Sequence, residues 1–217
     1  MPRPVAGSVP WQPWVDVALA VEPLAADDLE ARAASADIVA FRDDLLPGRR
    51  REYLAGRLAA RASLQELQAQ SLTVGRNGLL PQWPSGFCGS ISHGAGLAVA
   101  IAGHAPQWRA LGIDIEPAIE ADRRPSLRYA LTTDEMHACE QAADADLWTR
   151  TWAAKEAAYK CCGALGADPL LRSLVAVWTD ASHGHMVLTI DGKTLHVDLR
   201  SRVAGAVVWV AAGIRSI

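Results

Sequence analysis

At 217 residues, half of them hydrophobic, the chain is long enough to bury one full core or two small lobes. A formal net charge of -3 and a pI near 6.1 argue against a general nucleic-acid binder, which is usually basic. No stretch is apolar for long enough to span a bilayer, and Met1–Ser8 lacks the apolar run of a signal peptide, so a cytoplasmic protein is expected. Cys88, Cys139, Cys161 and Cys162 follow neither zinc nor disulfide spacing and read as reduced thiols.

Residues 1–23 are rich in Pro and Trp, with a strand predicted at Val15–Val21. Asp27-Asp28-Leu29-Glu30 opens a helical pattern to about Phe41, its acids placed where the helix dipole favours them. Pro47-Gly48 reads as a break, and Arg49 to about Leu67 as the longest helix. The Gly- and Pro-punctuated Val74–Gly86 reads as loop. Phe87–Ser92 and Leu97–Ala102 read as buried strands joined by His93-Gly94-Ala95-Gly96. A strand at Gly112–Glu116 ends at Pro117, and Trp148–Cys162 is helical. Val175–Thr179, His185–Ile190 and Lys193–Leu199 are predicted strands, with Asp191-Gly192 as a hairpin turn, and Ala206–Ala211 closes the chain. An Ala/Val strand ending in Gly occurs twice, at Leu97–Gly103 and Val207–Gly213. This suggests a duplicated α+β unit, with a ligand at the seam between its halves.

The chemistry concentrates in two segments. In a strand, Asp114 and Glu116 share one face and Ile113 and Ile115 the other. Adjacent carboxylates repel unless a cation relieves them, and paired hard oxygens suit Mg²⁺. Taken alone, such a pair reads as a solvated strand edge. On the helix, Trp148, Trp152 and Tyr159 form an apolar stripe that contains Lys155, and Glu156 and Lys160 lie side by side at i and i+4. Taken alone, that second pair is a surface salt bridge worth about 0.3 kcal/mol. Together the segments supply three carboxylates and two lysines, the makings of a magnesium-dependent phosphate site.

The paired segments Gly112-Ile113-Asp114-Ile115-Glu116 and Trp152-Ala153-Ala154-Lys155-Glu156-Ala157-Ala158-Tyr159-Lys160 resemble the signature of the 4′-phosphopantetheinyl transferases, of the larger surfactin/enterobactin-synthase type. Upstream, Arg49 to Arg61 resembles the enterobactin-type R-x-x-E-[FY]-x-x-G-R segment. Pro81-Gln82-Trp83-Pro84-Ser85-Gly86, followed by Gly89-Ser90-Ile91-Ser92-His93, resembles the P-x-W-P-x-G…GS-[IL]-[ST]-H block of that subgroup. The resemblance implies an α+β fold of two pseudo-symmetric α/β lobes, residues 1–110 and 111–217, with the active site at their interface. The short fatty-acid-type synthases build their site between subunits, whereas the present length suggests both halves in one chain and hence a monomer.

The implied reaction moves the 4′-phosphopantetheine arm of coenzyme A to a serine of an apo acyl or peptidyl carrier protein, releasing adenosine 3′,5′-bisphosphate. The implied metal ligands are Asp114, Glu116 and Glu156, holding Mg²⁺ or alternatively Mn²⁺, with Asp114 also on the coenzyme side. Glu156 is the implied general base, directly or through a metal-bound water, Lys160 the phosphate contact and leaving-group acid, and Lys155 a support of the same anionic site. Arg49, Arg57, Arg61, Arg76 and His93 are assigned to coenzyme A, Leu79, Leu80 and Pro81 to its adenine, and Arg50 and Arg51 to solvent. Without the resemblance, His93 among glycines reads as a turn residue. Carriers of peptide, polyketide, siderophore or fatty-acid systems all remain open. The sequence departs from the family at Ala153, where a small hydroxyl or thiol residue is common, and at Gly94, where Ser or Cys often follows the histidine. The stretch between the two main motifs is slightly short. No G-x-x-x-x-G-K-[ST] phosphate loop occurs, which argues against the common nucleotide phosphotransferases.

Overall fold

A computed structural model describes residues 11–40 and 45–216, and the chain divides into two compact units, 1–104 and 105–217. The division falls a little before the boundary expected at 110/111, which lies within a strand. The helix expected to run to about Phe41 ends at Ser35, where the chain turns with Asp37 at φ 56°; Phe41 itself and the segment Met1–Ser8 lie outside the described residues.

In the first unit, β1 (Val17–Pro23) is followed by α1 (Leu29–Ser35) and the long α2 (Pro47–Glu66). Pro47 does not break the chain. It occupies the first turn of α2, where a missing N–H is harmless and a fixed φ favours helix. The predicted loop contains a small hairpin, β2 (Gly75–Asn77) and β3 (Leu80–Gln82), turning at Gly78 with φ 59°. β4 (Phe87–Gly94) and β5 (Leu97–His104) complete an antiparallel sheet of order β1-β5-β4. Their tight turn puts Ala95 and Gly96 at φ 51° and 77°, the left-handed pair that matches strand twist in a two-residue hairpin. Ala98 to Ala102 in β5 are fully buried, and α2 lies over this strand through Leu54, Ala55, Leu58 and Ala59.

In the second unit, β6 (Trp108–Pro117) leads through a 3₁₀ segment (Arg124–Tyr129) to α3 (Thr133–Gln141) and α4 (Leu147–Ala164). Strands β7 (Val177–Trp178), β8 (His183–Ile190), β9 (Lys193–Ala204) and β10 (Val207–Arg215) follow. They form one antiparallel sheet of order β6-β10-β9-β8-β7, with the expected turn at Asp191 and Gly192. The sequence reading missed α3, although Thr132-x-x-Glu135 is a capping box made in both directions. The recurring Ala/Val strands become β5 and β10, each an inner strand beneath the long helix of its own unit.

α4 packs on β6 and β10 through Ala153, Ala154, Ala157, Ala158, Cys161 and Cys162, all fully buried. The predicted stripe of Trp148, Trp152 and Tyr159 is therefore not the side that meets the sheet; Tyr159 is exposed and donates to Asp168 at 2.6 Å. Small side chains bring the helix backbone close, and at Gly112 the approach reaches its limit: a Cβ there would collide with the Ala157 carbonyl. Ala153, where a small polar residue is usual in the family, belongs to this core. Because the obstacle is helix backbone, Gly112→Ala is expected to destabilise the protein by about 2 kcal/mol or more. Urea unfolding measures this, and an unchanged midpoint would contradict the packing.

Candidate active site

The even residues of β6 face α4. Asp114 is buried and Glu116 partly so, while Ile113 and Ile115 are buried on the other side of the strand. The helix runs antiparallel to the strand, which orders the contacts. Ala157 and Cys161 lie at Gly112, Lys160 at Asp114 and Trp152 at Glu116. Lys160 Nζ donates to Asp114 Oδ1 at 2.7 Å and to the Ile113 carbonyl at 2.9 Å. Trp152 Nε1 donates to Glu116 Oε1 at 2.9 Å. Lys160 thus pairs across to the strand rather than along the helix with Glu156.

Electrostatics tie Glu156 to the same group. Burial pushes its carboxyl pKa up, the negative field of Asp114 and Glu116 adds to this, and Lys160 opposes it. For Glu116, burial again raises the pKa, opposed chiefly by the Trp152 hydrogen bond, while Asp114 raises it and Lys160 and Arg123 lower it. Three carboxylates thus share one field with a lysine as their close cation. This excess of negative charge on hard oxygens suits a divalent cation. Among the described residues, however, no three carboxylate, imidazole or thiolate groups converge into a closed metal cage, so the expected three-ligand set is not preformed. Mg²⁺ does not require one, since it binds through one or two carboxylates, waters and substrate phosphates.

Lys155 is not part of this group. It is fully buried, and its ammonium donates to Glu135 Oε2 at 2.8 Å and to the carbonyls of Leu174 at 2.6 Å and Leu171 at 3.3 Å. Burial pushes its pKa down, and the bond to Glu135 opposes this. Glu135 also accepts from Thr132 N at 2.8 Å and Ala176 N at 3.0 Å. The expected support of the anionic site is corrected to a clamp joining α3, α4 and the segment 171–176. Three well-placed acceptors hold the ammonium there, and breaking such a pair costs about 3–5 kcal/mol.

In the first unit, Arg49 donates to Glu52 Oε2 at 2.8 Å, and His93 Nε2 lies 3.7 Å from the same oxygen. Arg57 stacks on the Tyr53 ring at 4.7 Å and donates to the Gly75 carbonyl at 3.1 Å. Its Nε–H is buried and, among the described residues, meets no acceptor. Burial disfavours its charge, Tyr53 opposes this, and neighbouring Arg76 adds a smaller unfavourable contribution. Arg57 and Arg61 line one cleft of about 230 Å³ with Tyr53, Val74 and Gly75. Arg76 lies on the hairpin and donates to the Gly78 carbonyl, and Leu79 at its tip is exposed. The assignment to solvent holds for Arg50, which lies at the surface, and is corrected for Arg51. Arg50 pairs with Glu30, and Arg51 ties α2 to the carbonyls of Leu24 and Ala26, each at 2.7 Å.

Sequence reasoning missed Trp152, Glu135 and Glu52 as partners of the named residues. Two of them carried a readable signal: Trp152 lies one turn before Glu156 on α4, and Glu135 closes the capping box.

Two family models match this chain, the 4′-phosphopantetheinyl transferase N-terminal domain over residues 43–103 and the 4′-phosphopantetheinyl transferase superfamily over 110–208. The chain belongs to the 4′-phosphopantetheinyl transferase superfamily. It is 34% identical to the 4′-phosphopantetheinyl transferase Npt of Nocardia iowensis over 92 residues, 42% of this chain and 40% of that protein. To enterobactin synthase component D of Escherichia coli (strain K12) it is 33% identical over 117 residues, 52% of this chain and 54% of that protein. To the 4′-phosphopantetheinyl transferase PptT of Mycobacterium tuberculosis (strain H37Rv) it is 30% identical over 131 residues, 51% of this chain and 57% of that protein. The chain spans about half the length of the curated relatives it matches. No described helix is long and apolar enough to cross a membrane.

The raised pKa of Glu156 has a stability consequence. A carboxyl whose folded pKa lies above its unfolded value contributes stability that is present below the unfolded pKa and lost as pH rises through the folded one. In metal-free buffer, Glu156→Gln should therefore stabilise the protein at pH 7 and be nearly neutral at pH 4. Urea titrations at both pH values decide, and equal destabilisation at both would contradict the shared carboxylate field.

Proposed function

We propose that this protein transfers the 4′-phosphopantetheine arm of coenzyme A to a serine of an apo acyl or peptidyl carrier protein, releasing adenosine 3′,5′-bisphosphate. The observation that carries the proposal is the grouping of Asp114, Glu116, Glu156 and Lys160 along the α4–β6 seam, on the residues that match the family's motif. Asp114, Glu116 and Glu156 would hold Mg²⁺, or Mn²⁺ in its place, together with the coenzyme's diphosphate. When bound, the cation neutralises charge on that diphosphate. The chain's residues do the rest. Glu156, whose proton affinity is raised by burial and like charge, accepts the proton of the carrier serine Oγ as that oxygen bonds to phosphorus. The bond to the adenosine-side phosphate breaks, and Lys160 meets the charge left on the departing oxygen. Trp152 orients Glu116, and Lys155 acts indirectly by fixing α4.

Arg57, Arg61 and Arg76, with Arg49 and His93, are assigned to the anionic groups of the coenzyme. The buried Arg57 Nε–H, which meets no acceptor among the described residues, supports this, because an anion would supply one. Leu79 and Leu80, exposed on the hairpin, are assigned to adenine. A cleft of about 340 Å³ beside Glu116, walled by Ile119, Leu127, Trp152 and Leu171, suits the apolar part of the pantetheine arm. In this reading the protein works in the cytoplasm as a monomer, its two units forming the pseudo-symmetric lobes of the family.

Purified protein with Mg²⁺ and coenzyme A is expected to add one pantetheine arm to an apo carrier, read as a mass shift across a panel of carrier proteins. Asp114→Ala and Glu156→Ala should abolish transfer while leaving coenzyme binding measurable. No shift on any carrier would overturn the assignment, and normal turnover in either variant would show the reacting group to be misplaced.

A further inference from the structure

The second unit contains a larger cleft, of about 640 Å³, that the proposed transfer does not use. It opens between the 3₁₀ segment, α3 and the start of α4, within the size range of small-molecule sites. Its apolar lining includes Trp148, Met136, Cys139 and Pro125. Burial pushes the Cys139 thiol up to about 11, so it presents a neutral sulfur.

The charges around this lining are unequally matched. Arg150 pairs with Asp144 and donates to the Ala181 carbonyl, although its Nε–H is likewise buried without an acceptor among the described residues. Asp144, which lines the cleft, is thereby engaged and also caps Asp146 N at 3.0 Å. Arg128 stacks on Tyr129 and donates to its hydroxyl at 3.0 Å, and Glu140 is exposed. Arg124 differs from these in having no polar partner for its charge among the described residues. Its guanidinium lies over the Trp148 ring at 5.6 Å, and among the described residues it makes no ion pair and its buried Nε–H meets no acceptor. A half-buried cation with no ion pair and an unmet Nε–H, set over an indole and beside an apolar wall, is complementary to an anion with a flat apolar body.

We propose that this cleft is a binding site for a small aromatic anion, its carboxylate or equivalent acid group on Arg124 and its ring against Trp148 and Met136. The acid satisfies the guanidinium, and the ring displaces water from the apolar lining. The 3₁₀ segment is shared with the neighbouring cleft: Arg124, Pro125 and Arg128 line this one, while Arg123, Ser126 and Leu127 line the one beside Glu116.

Isothermal titration of the full chain with 2-naphthoate tests the proposal, with 2-naphthylmethanol and inorganic phosphate as the apolar and anionic halves of the probe. The expectation is saturable binding of one naphthoate, weakened about tenfold or more by Arg124→Gln or by loss of the acid group, and a shifted Trp148 indole N–H signal in NMR. Phosphate alone should bind at least about tenfold more weakly, because it lacks the buried apolar area. The indole signal, assigned with Trp148→Phe, reads the site in the unmodified protein. No saturable binding, equal affinity for the alcohol or for phosphate, an unmoved Trp148 signal, a folded Arg124→Gln variant that binds as tightly, or displacement of naphthoate by coenzyme A would each overturn it.

Discussion

The close seating of α4 on β6 is the constraint on which the candidate active site depends. Gly112 and the small residues of the helix let the two backbones approach until a single Cβ at Gly112 would meet the Ala157 carbonyl. At that separation the next side chains on the same face of the strand, Asp114 and Glu116, meet Lys160 and Trp152 of the helix. A wider spacing would leave Lys160 short of Asp114 and Trp152 short of Glu116. The glycine of the Gly-Ile-Asp-Ile-Glu segment thus belongs to the site as much as its acids do, although it carries no chemistry.

The seam gathers like charges in partial burial, which disfavours folding on its own. Burial and mutual repulsion raise the proton affinities of Glu116 and Glu156, so the apo protein holds its carboxylates in a state that a cation would relieve. Rigidity comes from elsewhere. The Lys155–Glu135 clamp is buried, fully engaged, and tied to the cap of α3. Adjacent residues of one helix therefore divide the work, with Lys155 fixing the helix and Glu156 facing the seam.

Much of this was legible in the sequence, for identifiable reasons. Long elements with strong patterns, such as α2, β5 and α4, lay close to where periodicity put them, and the Asp191-Gly192 turn followed from left-handed φ preferences. The grouping of Asp114 with Glu156 and Lys160 rested on the family motif rather than on periodicity. The failures also have physical causes. Lys155 looked like a phosphate ligand because a buried lysine advertises an anion, and one-dimensional spacing cannot show that the anion is Glu135. Arg51 looked solvated because backbone carbonyls distant in sequence are invisible as acceptors. The hairpin at 75–82 was masked by the Gly and Pro residues that make its turn and edge.

The central claim is that the α4–β6 seam is a divalent-cation site completed by phosphate, with Trp152 orienting one of its carboxylates. Manganese binding followed by electron paramagnetic resonance, with coenzyme A present, tests it most directly. The account predicts one bound Mn²⁺ per chain, its affinity lost in Asp114→Asn and reduced about tenfold or more in Trp152→Phe, as expected for a partner that orients a ligand. Unchanged affinity in a folded Asp114→Asn variant, or an absence of binding in the unmodified protein, would contradict it.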